Sequence, residues 1–180
     1  SNLRDIAMSD DGSLMAVVNS EQLYTWSTGS WNSAYDGNND LYGLDWQAIA
    51  MSADGGTMVA VATANSNGEG GVYLSTDWGQ NWHSVVFGGS ASLNLVDVAV
   101  AGSGSRLSAV ANGGQGGQVW ISADAGTTWA TEPPAGITPA PTVPMAPAPT
   151  PAPSASPRAW SAIASSADGA RLAATVSSGS

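Results

Sequence analysis

Cysteine is absent from the 180 residues, which removes disulfides, cysteine-ligated metals and thiol catalysis together and leaves the redox compartment open. Lysine is absent as well. The only basic residues are Arg4, Arg106, Arg158 and Arg171, set against 14 acids for a net charge of -10 and a pI near 4.1. Such a chain has nothing with which to neutralise a row of phosphates, so nucleic acid and anionic membrane are excluded as partners. No apolar run approaches the ~18 residues that cross a bilayer, so membrane insertion is excluded from the reading as well. The opening Ser1-Asn2-Leu3-Arg4 lacks the pattern of a signal segment and reads as a trimmed or excerpted start. His83 is the single histidine, and without a second histidine or any cysteine there is no transition-metal constellation. Leu, Ile, Val and Phe sum to only about 17%, which with a net charge of -10 would fit disorder, but eight Trp argue for a packed core.

What the chain does have is a period. Arg4-Asp5-Ile6-Ala7-Met8-Ser9-Asp10-Asp11-Gly12 returns as Gln47-Ala48-Ile49-Ala50-Met51-Ser52-Ala53-Asp54-Gly55, 43 residues on. It returns again as Ser161-Ala162-Ile163-Ala164-Ser165-Ser166-Ala167-Asp168-Gly169, with a worn copy at Val96-Asp97-Val98-Ala99-Val100-Ala101-Gly102-Ser103-Gly104 between them. Each copy runs on into a second apolar stretch, at Leu14–Val18, Met58–Ala62, Leu107–Ala111 and Leu172–Val176. Two short runs around a turn glycine predict a β-hairpin, strands a and b. Alternation within the first run, Ile6 and Met8 against Ala7 and Ser9, has the period of two that strands show. Its small residues predict that strand a is buried on both sides.

A third strand with its turn follows in two copies, Val72-Tyr73-Leu74-Ser75-Thr76-Asp77-Trp78-Gly79-Gln80-Asn81-Trp82 and Val119-Trp120-Ile121-Ser122-Ala123-Asp124-Ala125-Gly126-Thr127-Thr128-Trp129. Both contain Ser-x-Asp-x-Gly-x-x-Trp, at Ser75, Asp77, Gly79, Trp82 and at Ser122, Asp124, Gly126, Trp129. The first copy keeps a shortened form, Trp26-Ser27-Thr28-Gly29-Ser30-Trp31. The pattern resembles the Asp-box, or bacterial neuraminidase repeat, of β-propellers in sialidases, sortilin-like receptors and secreted glycosidases. That resemblance implies a stapled hairpin turn: the Asp accepts backbone N–H bonds across the loop, the Gly takes an unusual φ, and the Trp covers the turn. The expected fold class is all-β, in tandem four-stranded antiparallel blades, about three and a half of them, with an extended polyproline II segment.

The expected organisation is three blades over residues 1–132 (about 1–43, 44–92 and 93–132), a linker over 133–158, and two strands of a fourth blade over 159–180. So short an array does not close a ring alone. Two readings stay open: a window on a longer protein, or a half-blade completed by another copy of the chain, which makes a filament if the rotation does not close. All ten prolines fall between Pro133 and Pro157, in a stretch that disfavours strand pairing and favours polyproline II. Its Pro139, Pro141, Thr142, Pro144, Pro147, Pro149, Thr150, Pro151, Pro153, Ser154, Ser156 and Pro157 look like the glycomodules of hydroxyproline-rich glycoproteins. An undecorated spacer fits the same composition equally well.

Chemistry is sparse by comparison. The resemblance to sialidases implies three arginines on a substrate carboxylate, a Tyr nucleophile with a Glu partner and an Asp acid/base. Here Arg106 and Arg171 occupy equivalent places in the repeat, so the resemblance extends to the scaffold and not to the active site, and no catalytic residue is expected. Asp36, Asn38 and Asp40 at alternate positions are oxygen ligands of the kind Ca²⁺ accepts, although a solvated inter-blade turn is the first reading of that loop. No other cofactor is expected. Most Trp are placed by the repeat and read as core, Trp31 among them as the closing residue of the first box. Trp26 and Trp78 stand in variable positions, free to stack on sugar rings or on a neighbouring chain. The sequence therefore reads as a non-catalytic structural or adhesive protein, extracellular or on the cell surface. It pairs with itself head to tail by strand complementation, with attached glycans if the proline tract is decorated. The alternative is a carbohydrate-binding or glycosidase-associated propeller fragment.

Overall fold

A computed structural model describes residues 2–34, 41–63, 70–85, 93–112, 118–132 and 159–176. Every regular element among them is a strand, fourteen in number. The first blade comprises β1 (Leu3–Met8), β2 (Met15–Asn19), β3 (Leu23–Ser27) and β4 (Ser30–Ser33). The second is β5 (Asp45–Met51), β6 (Met58–Thr63), β7 (Gly71–Ser75) and β8 (His83–Val85), and the third β9 (Asn94–Val100), β10 (Leu107–Asn112), β11 (Gln118–Ser122) and β12 (Ala130–Glu132). β13 (Trp160–Ser165) and β14 (Leu172–Val176) form a two-stranded sheet. Each full blade is an antiparallel meander in sequence order, as the repeat predicts. The proline tract and the Asp36, Asn38 and Asp40 loop lie outside the described residues.

The blades stack through their first strands, β1 on β5, β5 on β9 and β9 on β13. One stacked core joins Val18, Leu23, Trp46, Ile49 and Met58 across blades one and two, where Trp46 meets Tyr73 edge to face at 5.1 Å. A second joins Val59, Val61, Leu74, Val98 and Leu107 across blades two and three. A four-stranded sheet of this size cannot bury its two faces by itself, so these interfaces carry the hydrophobic stabilisation.

Strand b is the more deeply sandwiched of the two. β6 and β10 are buried at every position but the last, whereas in the same blades β5 and β9 mix buried with half-buried residues, and β1, in the end blade, is exposed at alternate residues. Strand a is the inner edge of its sheet and has no neighbour on one side, while strand b has a strand on either side and a blade on either face. The small residues that suggested close approach in strand a have their counterparts in b, at Ala60, Ala62, Ala109 and Ala111, all buried.

Candidate functional site

Three devices recur at the seams between blades, and each follows from local sequence. The first begins with a bulge. One residue in every inner strand (Arg4, Gln47, Val96, Ser161) is skipped in the pairing with strand b. Just beyond it, an inner-edge N–H needs an acceptor that no strand supplies. Asp5 accepts from Ile6 N–H with Oδ1 and from Ile49 N–H of the next blade with Oδ2, both at 2.9 Å. Asp97 does the same for Val98 at 2.9 Å and Ile163 at 2.6 Å. The equivalent residues in blades two and four are Ala48 and Ala162, so two carboxylates serve four blades. Burial pushes the Asp97 carboxyl above its ordinary range, against the pull of the Ile163 and Val98 N–H bonds, with repulsion from Asp5 adding to the rise.

The second device is a backbone ladder through the a–b turns. Asp10 N–H donates to Ala53 C=O at 2.9 Å, Ala53 N–H to Gly102 C=O at 2.9 Å, and Gly102 N–H to Ala167 C=O at 2.8 Å. Among the described residues the ladder ends on an unused Asp10 C=O at one side and an unused Ala167 N–H at the other. The third device is steric: a Cβ on Gly55 would lie 2.6 Å from Leu14, one on Gly104 2.5 Å from Thr57, and one on Gly169 2.9 Å from Arg106. Each turn glycine thus sits on the residue that follows the turn of the preceding blade. Gly12 meets no other blade, and its only neighbour is Met8 of its own strand at 4.0 Å. A side-chain clamp also fastens the half-blade, because Asn112 bonds both the N–H (2.6 Å) and the C=O (3.0 Å) of Trp160.

The two Ser-x-Asp-x-Gly-x-x-Trp turns are each closed by hydrogen bonds within the turn. Ser75 Oγ accepts from Gly79 N–H at 2.9 Å, Asp77 accepts from Asn81 N–H at 2.9 Å, and Trp82 Nε1 donates to Gly79 C=O at 3.2 Å. Ser122, Asp124, Gly126 and Trp129 repeat the arrangement, with Thr128 in place of Asn81. The first blade departs from it. Met15 pairs with Trp26 where Met58 pairs with Ser75 and Leu107 with Ser122, so Trp26 and not Ser27 stands in the serine position. The loop is cut to Thr28-Gly29, with φ of 51° and 89°, the two positive values of a type I′ hairpin. With no box loop to cover, Trp31 is 50% exposed and is not core.

That shortening opens a groove of about 580 Å³ at the seam of blades one and two, where Trp26 and Thr28 face Trp78, with Asp11 and Asp54 from the a–b turns. The two tryptophans singled out by the sequence therefore share one site, and Trp78 is 52% exposed. Asp11 is held down at about 2, mainly by the Ser13 N–H, with the Ser9 and Ser13 hydroxyls. Asp54 is lowered by the Ser52 hydroxyl and the Gly56 N–H. No cluster of three or more metal-ligating side chains exists among the described residues. Asp5 and Asp97 escaped the sequence reading; their signal was an Asp inside a strand in alternate copies, an unfavourable residue at a place where β propensity alone would not put it.

Four-stranded antiparallel meanders stacked through their inner strands define a β-propeller-type blade array. No family model and no curated protein sequence matches the chain. Among solved structures, it is similar to YCF48 from Cyanidioschyzon merolae, with a TM-score of 0.54 at 15% identity over 73% of this chain and 39% of that one. It is also similar to a chain of the nidogen/laminin complex, with a TM-score of 0.52 at 10% identity over 72% of this chain and 47% of that one. At these identities the likeness is one of fold, and the chain spans less than half the length of either structure.

Proposed function

We propose that this chain is a non-catalytic, extracellular structural or adhesive protein of the Asp-box type whose copies stack head to tail. The observation that carries the reading is the turn ladder, which offers an unused acceptor on the first blade and an unused donor on the last. A second copy placed like a next blade would extend it, Ala167 N–H to Asp10 C=O, and would seat Gly12 on Arg171 as Gly169 sits on Arg106. The Asp order also fits, since blade four with Ala162 would be followed by blade one, whose Ile6 N–H is served by its own Asp5. Both faces have apolar surface to bury: Leu3 is 72% exposed, Ile6 61% and Met8 59%, and Leu172 and Val176 are exposed on the other side. The outer edge of β14, unpaired among the described residues, accepts an added strand.

The arginines support the non-catalytic reading. Arg4 is engaged with Asp45 at 2.7 Å, Arg106 lies at the seam against Gly169, and Arg171 holds the equivalent repeat position on the last blade. The proline tract then serves as an extended spacer and, with Ser, Thr or hydroxyproline glycosylated, as the decorated surface of the fibre. Sedimentation velocity across a hundredfold concentration range, with negative-stain imaging, tests the assembly. The expected result is growing head-to-tail oligomers that Ile6→Asp abolishes. A monomer at every concentration, or oligomers indifferent to Ile6→Asp, overturns the reading.

A further inference from the structure

The groove between blades one and two belongs to neither open face, and its chemistry is not that of the seams. We propose that it binds the guanidinium of an arginine side chain presented by a partner polypeptide, between Trp26 and Trp78 and against Asp11 and Asp54.

Four observations converge on a cation of that shape. Each turn carboxylate spends one oxygen on its own loop: Asp11 Oδ1 accepts from Ser9, Ser13 Oγ and Ser13 N–H, and Asp54 Oδ1 from Ser52 and Gly56 N–H. The Oδ2 atom of each has no partner among the described residues and remains an acceptor. No basic residue lines the groove, so two negative charges stand uncompensated on a chain of net charge -10. Two indoles share the site with them, and indole faces attract cations, Arg more often than Lys, because a planar guanidinium stacks while its edge donates to carboxylate. A neutral sugar would gain the stacking without the Coulomb attraction.

The fourth observation is backbone strain. Trp78 holds φ of 60°, a region unfavourable for a bulky side chain. Its counterpart in the next box is Ala125, at 54°, so the turn requires the conformation and does not require Trp. The next seam supplies an internal contrast: Ser103 replaces the turn Asp, Ser75 stands for Trp26 and Ala125 for Trp78, leaving neither the aromatic pair nor the second charge.

The probe is acetyl-(Arg-Gly)₃-amide, titrated into dilute full-length protein with intrinsic tryptophan fluorescence as the readout. Working at a concentration where sedimentation shows only monomer keeps this result separate from assembly. The expected result is a saturable change weakened at least tenfold between 50 and 500 mM NaCl, lost in Trp78→Ala and weakened about tenfold in Asp54→Asn. Circular dichroism confirms that each variant is folded, and Ala125 shows that alanine suits the position. Binding that persists undiminished in Trp78→Ala would reflect the acidic surface as a whole and overturns the proposal. So does the absence of a saturable change, or a salt-insensitive response to cellohexaose in its place.

Discussion

At the scale of single residues, the seam aspartates show why a side chain is where it is. Asp is a poor strand residue, yet a carboxylate is the one short side chain with two acceptor oxygens and no donor. Asp97→Asn keeps size and shape but turns one oxygen into an NH₂ group, which then faces either Val98 N–H or Ile163 N–H. Chemical denaturation should show a loss of about 1–3 kcal/mol, the cost of a partly buried donor left unmade. A change within experimental error would mean that the pairing of Asp97 with the next blade contributes nothing. Trp31 teaches the complementary lesson. Its spacing in the sequence read as core, but an indole covers a turn only where there is a loop to cover, and the two residues missing from the first blade's loop leave it in solvent.

The elements were legible in proportion to how local their cause was. Asp-Gly announced three of the four a–b hairpins, with Ser103-Gly104 in its place in the third blade, and Ser-x-Asp-x-Gly-x-x-Trp announced the turns that follow β7 and β11, because each is decided within about ten residues by φ and side-chain acceptors. Double burial of strand b was not legible, since it depends on what stacks above and below. The groove was half legible: variability marked Trp26 and Trp78 as free, but only stacking brings residues 26 and 78 to one seam. Two glycines separate the local cause from the packed one. Gly29 and Gly126 have almost the same φ, 89° and 90°. Around Gly29 an added Cβ meets nothing, whereas at Gly126 it would lie 2.6 Å from Leu74 of the preceding blade. Gly29→Ala should lose about 1–2 kcal/mol, the backbone cost alone. Gly126→Ala should lose clearly more, measured by urea denaturation of the two variants side by side. Equal losses would show that the blades move apart freely at that seam.

Across the whole molecule, the turn carboxylates set how stability responds to acid. Asp11, Asp54, Asp77, Asp124 and Asp168 are all lowered by hydrogen bonds to their own loops, Asp11 to about 2 from 3.8. For a lowered group, the stabilisation is whole above the unfolded value and is withdrawn as pH falls through the folded one. Asp97, being raised, has the opposite sign: its contribution favours folding at low pH and fades as pH rises through its folded value. Five groups outnumber one. The thermal midpoint should therefore be nearly flat above about pH 5 and fall between about pH 4 and pH 2, as followed by circular dichroism. A midpoint that holds to pH 2 would show that the loop bonds survive protonation.

The alternation of Asp5, Ala48, Asp97 and Ala162 also fixes a parity. Blades of the Ala kind draw an acceptor from the blade before them, and blades of the Asp kind are self-sufficient, so the array counts in twos. Excising the third blade would set Ala162 behind Ala48 and strand the Ile163 N–H. Excising the second and third together would set it behind Asp5, which has the oxygen to receive it. Lengthening or shortening this scaffold by even numbers of blades preserves every inner-strand acceptor, and an odd step that joins two Ala blades breaks one.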